Sequence, residues 1–205
     1  GFQEVHTDLE KADRVYQAIR RKISYMDLRR IYKCFLSTVP DKEMILLRYI
    51  VLGFHIGSGI SKLHGNPDVF AAQEIEKKIN VEAERMRQFV RFSVMQGDIL
   101  YARIEPDHDV LELIGDHFSD RFRNDPFLIH DVRRGKAMAG YQGKWYITSF
   151  AENDVPEESE EEKEYQALWQ KYFDHIAIKE RKNSNCQRNF MPLRYRKHLT
   201  ECQMR

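Results

Sequence analysis

The spacing of apolar and polar positions divides the chain into a helical first part and a mixed second part. Near the start, apolar residues recur every three or four positions, which predicts amphipathic helices that begin close to Thr7, Ser24, Asp41 and Asn66. From residue 92 onward, shorter apolar runs separated by glycine-containing turns predict strands at 92–95, 99–104, 127–132, 136–141 and 145–150. The sequence therefore predicts a single α+β domain, in which helices surround a small antiparallel sheet of four or five strands.

An acidic segment follows the last predicted strand. Residues 152–164 contain eight acidic side chains against Lys163 and almost no apolar ones, so we expect a solvated linker. The Ser159-Glu-Glu-Glu162 motif inside it is a capping box that predicts a further helix. The aromatic side chains of that helix, at Tyr165, Trp169 and Tyr172, lie on one stripe, which predicts packing against the core.

Composition excludes several classes of protein. The chain has 205 residues, a net charge of only +1 and three cysteines. The cysteines form no CxxC pair, so neither a disulfide framework nor a cysteine-based zinc site is indicated, and a reducing cytoplasm fits. No apolar run reaches the ~20 residues of a membrane helix, so we expect no membrane partner. Nothing in the sequence names a cofactor or a bound metal.

Two His-Asp pairs are the main candidates for chemistry. Asp107 with His108 and His130 with Asp131 each come at the end of a predicted strand. A neutral imidazole beside carboxylates can act as a general base or bind a metal, so these four residues are the candidate catalytic group. The structural alternative is that Asp107 caps the following helix while both histidines satisfy buried backbone groups.

Basic side chains provide the candidate contacts to nucleic acid. Arg133 and Arg134 suit phosphate, although ion pairs with Asp131 or Glu105 would explain them equally well. The basic C-terminal segment, residues 179–205, mixes cations with rings that can stack on unpaired bases. Its candidate residues are Arg181, Lys182, Arg188, Arg194, Tyr195, Arg196, Lys197 and His198. The alternative is that this segment folds onto the acidic linker. A second basic cluster, opposed only by Asp27, comprises Arg20, Arg21, Lys22, Arg29, Arg30 and Lys33.

Several motifs in a fixed order resemble those of a known bacterial family. They are Phe89-Val-Arg-Phe92, Ile104-Glu-Pro-Asp-His108, His117-Phe-Ser-Asp-Arg-Phe122, Ile129-His-Asp-Val-Arg-Arg134, Tyr172-Phe-Asp-His-Ile-Ala-Ile178, Glu180-Arg-Lys-Asn183 and the run from Met191 to Glu201. The family has no established activity, and its members are usually called probable DNA metabolism or repair proteins. The resemblance implies an association with a radical-SAM protein and, in some members, fusion to a uracil-DNA glycosylase-like domain.

Three functions remain open from the sequence. The first is a DNA-repair or DNA-metabolism factor that binds DNA or another nucleic acid through basic surfaces. The second is a hydrolase-like enzyme that acts on nucleic acid or a nucleotide through the Asp/His group. The third is an adaptor that docks on a radical-SAM or glycosylase-like partner.

Overall fold

The computed structural model describes residues 6–155, 157–176 and 191–199. The internal contacts of the chain form two compact units, Gly1–Val81 and Glu82–Arg205. Helices make up the first unit, and the second contains the sheet with its flanking helices. The predicted α+β class is confirmed.

Four helices account for most of the first unit. They are α1 (Leu9–Lys22), α2 (Tyr25–Phe35), α3 (Lys42–Ile56) and α4 (Pro67–Phe89), with a 3₁₀ helix at Gly57–Lys62 and the end of α4 extending into the second unit. Asp8 rather than Thr7 caps α1, because its side chain accepts a hydrogen bond from the Lys11 amide at 3.0 Å. The side chain of Ile23 fills the space beside Gly53 of α3, where any larger residue would collide with it.

A buried polar network fixes α2 and α3 together. The Tyr49 hydroxyl of α3 donates to Asp27 Oδ1 at 2.6 Å, and Arg30 Nη1 donates to both Asp27 Oδ1 and the Tyr49 oxygen. Arg30 Nε also pairs with Glu76 of α4 at 2.6 Å. Because both Asp27 and Tyr49 are buried, the network defines which face of α3 points inward.

The second unit is built on a five-stranded sheet in the order β1-β2-β3-β4-β5. The strands are β1 (Ser93–Met95), β2 (Ile99–Ile104), β3 (Phe127–Asp131), β4 (Lys136–Tyr141) and β5 (Lys144–Ser149). Helix α5 (Leu111–Arg121) lies between β2 and β3 in the chain and contributes Leu111, Ile114 and Phe118 to the core.

The sheet is mixed rather than antiparallel throughout as predicted. β2 and β3 run parallel, with Ile104 opposite Asp131, whereas the other three neighbouring pairs are antiparallel. The physical reason is the connection between the two strands. Helix α5 brings the chain back to the end of the sheet where β2 begins, and a crossover of this length joins parallel strands. The ends of β2 and β3 therefore lie side by side.

The acidic segment is attached to the edge of β1. The amide of Gln96 donates to the Glu157 carbonyl at 2.9 Å, and the amide of Ser159 donates to the Val94 carbonyl at 3.2 Å. A 3₁₀ helix at Glu152–Asp154 precedes these contacts, and α6 (Glu160–Ile176) follows them. Residues 152–164 thus cover part of an otherwise open strand edge, in addition to connecting two elements.

Helix α6 turns its polar face toward the sheet, which contradicts the expected core packing of its aromatic stripe. Glu162 accepts a hydrogen bond from the Val94 amide at 3.1 Å, and Gln166 donates to the Ser93 hydroxyl at 3.1 Å. Among the α6 side chains that the structure describes, the exposed apolar ones are Tyr165, Leu168, Trp169 and Tyr172, of which Tyr165 is 68% exposed. Directed hydrogen bonds to the β1 edge therefore set the rotation of this helix.

Within the described residues, one helical stretch has the length and apolar composition to cross a membrane, although the sequence pattern did not predict one. It is Lys42–Lys62, with a mean hydropathy of 1.5 and 22% of its apolar window buried. The α-helix itself ends at Ile56, and the rest of the stretch is the 3₁₀ helix. Length and composition alone distinguish this stretch, and the Tyr49 hydroxyl joins one side of it to Asp27 and Arg30 of α2.

Candidate nucleic-acid interface

The parallel pairing of β2 and β3 brings the two predicted His-Asp pairs to the same end of the sheet. Asp107 and His108 follow β2, and Asp131 is the last residue of β3. Arg134 joins these two strand ends: its Nη1 donates to Asp131 Oδ2 at 2.7 Å, and its Nη2 donates to the carbonyl of Asp107 at 2.5 Å. The structure therefore links Asp107 and Asp131 through an arginine.

The hydrogen bonds of Asp131 give its carboxylate a structural role. Its carboxylate is fully buried and also accepts a hydrogen bond from the Arg134 amide at 3.2 Å. Burial raises the pKa of Asp131, and the Arg134 guanidinium opposes that rise. These contacts use both carboxylate oxygens to hold the turn after β3.

His130 points to the opposite side of the sheet. Its Nδ1 lies 2.9 Å from the Tyr101 hydroxyl oxygen, and its ring packs edge-on against Phe150 at a centroid distance of 4.8 Å. Neighbouring residues of a strand face opposite sides, so His130 cannot share a site with Asp131. Burial lowers the pKa of His130 and favours its neutral form. The four candidate catalytic residues thus do not converge in one pocket.

Glu82, which the sequence analysis did not single out, organises the loop that carries Asp107 and His108. Its buried carboxylate accepts hydrogen bonds from the amide of Asp107 at 2.9 Å and from the amide of His108 at 2.7 Å. The Tyr195 hydroxyl also donates to it at 2.9 Å. Burial is the main cause of the lowered pKa of His108, and the negative charge of Glu82 opposes it. The only sequence signal for Glu82 is a carboxylate within the buried stripe of α4.

The described part of the C-terminal segment folds back on this end of the sheet. A 3₁₀ helix at Leu193–His198 places Tyr195 in the core. Arg194 forms an ion pair with Asp107, and Lys197 donates to Glu105 Oε1 at 2.6 Å. The hydrogen bond from Lys197 lowers the pKa of Glu105. These two cations are therefore neutralised within the protein.

The other candidate contacts to nucleic acid either have partners within the protein or lie outside the described residues. His198 Nε2 lies 3.2 Å from Glu105, and burial lowers the pKa of His198. Arg133 Nη1 pairs with Asp107 at 3.1 Å, and Arg196 Nε donates to the Met191 carbonyl at 3.3 Å. Three further predicted contacts, Arg181, Lys182 and Arg188, lie outside the described residues. The alternative in which the basic segment folds onto the acidic linker is therefore not what residues 191–199 show, because their described ion pairs and hydrogen bonds go to Glu82, Glu105 and Asp107.

A small cleft between the end of α4 and the C-terminal 3₁₀ helix is lined by apolar side chains and by the titratable groups of Arg103, Glu105, Arg194 and His198. Phe89, Ile104 and Tyr195 contribute apolar lining, and Arg103 pairs with Glu152 at 2.6 Å at its margin. Among the described residues, no group of three His, Cys, Asp or Glu side chains is placed to hold a metal ion.

The other basic cluster has a different environment. Arg30 and Lys33 belong to the internal network through Glu76. Its other four cations, Arg20, Arg21, Lys22 and Arg29, are exposed at the end of α1 and along α2. Tyr25 and Met26 are exposed beside them, at 53% and 71%, and the Arg20 guanidinium carbon lies 5.9 Å from the centroid of the Tyr25 ring. The name α1–α2 basic surface is used here for the exposed residues Arg20, Arg21, Lys22, Tyr25, Met26 and Arg29, without Arg30 and Lys33.

No carboxylate in the described parts of the chain forms an ion pair with a cation of the α1–α2 basic surface. The surface therefore combines available positive charge with an exposed aromatic ring. This is the arrangement that proteins use to contact phosphates and bases.

A family model described as a domain of unknown function, DUF4130, matches residues 40–201. Neither a comparison with curated proteins nor one with solved structures yields a match. The match agrees with the family of unknown function that the motifs suggested, and its description names no role in DNA repair and no radical-SAM partner.

Proposed function

The chain belongs to the DUF4130 family of unknown function, and from its surfaces we propose a DNA-repair or DNA-metabolism factor that binds nucleic acid. The contacts are assigned to the α1–α2 basic surface. The DNA context rests on the resemblance of the sequence motifs, and the mode of binding rests on the structure's distribution of charge.

The observation that carries the proposal is that the exposed cations of the α1–α2 basic surface form no ion pair with a carboxylate of the described residues. Within the described residues, Arg21, Lys22 and Arg29 have no ion pair, whereas Arg194 and Lys197 each pair with a carboxylate. A cation that is already neutralised releases few counterions when it meets a phosphate, whereas an unpaired one contributes fully to affinity. Of the two predicted basic regions, the α1–α2 basic surface is therefore the better phosphate-binding site.

The exposed tyrosine supports nucleic acid over a merely acidic partner. Half of the Tyr25 side chain is accessible, and the Arg20 guanidinium lies near its ring. An unpaired base can stack on such a ring, and each stacking contact contributes roughly 1–3 kcal/mol to binding of single strands. Positive charge then holds the backbone while the ring holds a base.

A structural explanation accounts for only part of this surface. Basic residues in the last turn of a helix interact favourably with its dipole, which applies to Arg20, Arg21 and Lys22 in α1. It does not apply to Arg29, which lies in the middle of α2. The helix dipole therefore does not explain the basic side chain of Arg29.

The exposed face of α6 favours a second candidate function, that of an adaptor. Tyr165, Leu168 and Trp169 are all exposed, and the hydrogen bonds of Glu162 and Gln166 hold them outward. Exposed aromatic residues of this kind are enriched at protein interfaces. A radical-SAM or glycosylase-like protein is the partner that the motif resemblance suggests. Trp169→Ala should then weaken binding of the purified radical-SAM protein at least tenfold, and unchanged binding would reject this candidate.

The experiment for the main proposal compares two paired substitutions. We expect the full chain to bind a fluorescent oligo(dT) of about 20 nucleotides in ~50 mM salt, and Arg21→Ala/Arg29→Ala to weaken binding about tenfold or more. The control, Arg133→Ala/Lys197→Ala, removes the same amount of charge from internally paired positions. No binding by the wild-type protein, or an equal loss in both variants, would reject the proposal.

A further inference from the structure

One side of helix α2 exposes two tyrosines with an arginine between them. Tyr25 is 53% exposed and Tyr32 is 42% exposed, and Arg29 is exposed as well. Because an α-helix has 3.6 residues per turn, these three side chains leave α2 within an arc of about 60°. They form one continuous line on the surface, here called the α2 ridge.

The opposite side of α2 is held within the first unit. Asp27 and Cys34 are buried, and the Cys34 thiol donates to the Ala72 carbonyl of α4 at 3.2 Å. The Asp27 carboxylate accepts a hydrogen bond from the Tyr49 hydroxyl of α3 at 2.6 Å. Rotation of α2 would break both contacts, so the fold sets the outward direction of the α2 ridge.

The charge around the α2 ridge favours an anionic ligand that also has flat apolar groups. Arg29 forms no ion pair with a carboxylate of the described residues, and the Arg20 guanidinium carbon lies 5.9 Å from the centroid of the Tyr25 ring. Phosphate suits the planar fork of an arginine, and a flat group can stack on a tyrosine ring. A nucleic-acid strand supplies phosphates and flat bases in alternation along its length.

We propose that the α2 ridge selects single-stranded nucleic acid. One base stacks on Tyr25, the next stacks on Tyr32, and Arg29 binds the phosphate that joins them. Seven residues of helix span about 10.5 Å, roughly three times the ~3.4 Å between stacked bases, so two consecutive bases fit between the two rings. This assignment rests on the nucleic-acid binding proposed above and names its substrate class.

Double-stranded DNA is the competing ligand, because its phosphates carry the same charge. In a duplex the faces of the bases are covered by their neighbours, so a tyrosine ring could stack only at an end. A helix that reads a duplex instead presents side chains that hydrogen-bond to base edges in the major groove. Within the α2 ridge, only Arg29 has the paired donors that read a guanine edge. The two tyrosines therefore favour single strands.

Fluorescence anisotropy of the full chain with three ligands of equal length tests the proposal: oligo(dT), an abasic strand with the same phosphates and no bases, and a duplex. Wild-type protein should bind oligo(dT) more tightly than the duplex, and about tenfold or more above the abasic strand. Tyr25→Leu/Tyr32→Leu should weaken binding of oligo(dT) about tenfold or more and binding of the abasic strand less than about twofold. The matched control is Tyr141→Leu/Tyr146→Leu, at positions 51% and 65% exposed on the sheet, which should bind oligo(dT) like the wild type.

The outcomes separate this proposal from the proposed function. If Arg21→Ala/Arg29→Ala weakens binding of all three ligands while Tyr25→Leu/Tyr32→Leu weakens none, the single-strand proposal is overturned and phosphate binding by this surface stands. If the wild-type protein binds none of the ligands, both proposals are rejected.

A further variant keeps the test independent of any misfolding caused by leucine. Tyr25→Phe/Tyr32→Phe retains both rings, so it should bind oligo(dT) within about threefold of the wild type. A loss as large as that of the leucine variant would overturn the stacking contacts.

Discussion

The two basic regions of this protein have similar compositions and different surroundings. In the C-terminal region, Arg194 and Lys197 meet the carboxylates of Asp107 and Glu105. In the α1–α2 basic surface, Arg21 and Arg29 are exposed, and no described carboxylate pairs with them. A count of positive residues therefore does not identify a phosphate-binding site, because the position of the acidic residues decides which cations are available.

The difference also separates two roles for charge. Arg194, Tyr195 and Glu82 form part of a buried or half-buried network that holds the C-terminal segment on the sheet. The α1–α2 basic surface makes few internal contacts, so its side chains contribute little to folding. We therefore expect substitutions in the first region to change stability and substitutions in the second to change binding.

The largest expected effect is the loss of Glu82. Glu82→Ala leaves two amides and the Tyr195 hydroxyl without an acceptor, so the free energy of unfolding should fall by about 2–4 kcal/mol. Urea unfolding provides the measurement. Glu84→Ala, which removes an exposed carboxylate from the same helix, is the control and should leave the free energy of unfolding nearly unchanged. Equal losses in the two variants would contradict the structural role of Glu82.

Much of the fold could be predicted from the sequence because apolar spacing reports it directly. The strand positions and the helix after the acidic segment agree with the pattern. The direction of β3 could not be predicted from the strand pattern alone, because it depends on the path of α5. The rotation of α6 was missed for a similar reason: hydrogen bonds of Glu162 and Gln166 to β1 outweigh the burial that the aromatic stripe suggested.

The candidate site was predicted less well, and the residues show why. Asp107 and Asp131 are linked as neighbouring strand ends, which agrees with their positions in the sequence. The opposite direction of His130 follows from strand alternation, which closeness along the sequence does not reveal. Glu82 had no comparable signal, since its partners are backbone amides that are distant in sequence.

Removing the carboxylate partners should make the C-terminal region resemble the α1–α2 basic surface. Glu105→Gln/Asp107→Asn releases Lys197 and Arg133 from their ion pairs and leaves Arg194 with its longer contact to Glu82, so affinity for oligo(dT) should rise about three- to tenfold. Fluorescence anisotropy at constant salt measures the change. The control, Glu74→Gln/Glu84→Gln, removes two acidic charges elsewhere and should raise affinity by less than about twofold. If both double variants gained equally, net charge rather than release of these cations would explain the result.

Acidity should lower the stability of the fold through His130. Burial lowers the pKa of His130 below the ~6.5 of an unfolded chain, so its contribution is complete above about pH 6.5. As the pH falls from there toward the folded pKa, the unfolded state takes up the proton first, and stability is lost. Unfolding curves between about pH 5 and 8 should show this loss, and His130→Gln should reduce it. A pH dependence that is identical in His130→Gln would assign the loss to other groups.

The smallest expected effect concerns Arg133. Its ion pair with Asp107 is 57% exposed on the arginine side, so Arg133→Ala should change the free energy of unfolding by less than about 0.5 kcal/mol. Affinity for oligo(dT) should change by less than about twofold, because Arg133 is already paired. A tenfold loss of binding in the folded variant would place a phosphate contact at the end of the sheet after all.

The salt dependence of binding tests the central claim most directly. Each phosphate contact on a single strand adds about 0.7 to the steepness of log K against log salt concentration. Replacing Arg20, Arg21, Lys22 and Arg29 by alanine should therefore reduce that steepness by about 2 to 3. Replacing Arg133, Arg194 and Lys197 should reduce it by less than about 0.7. A flatter salt dependence in the second variant, with an unchanged one in the first, would contradict the assignment of nucleic-acid binding to the α1–α2 basic surface.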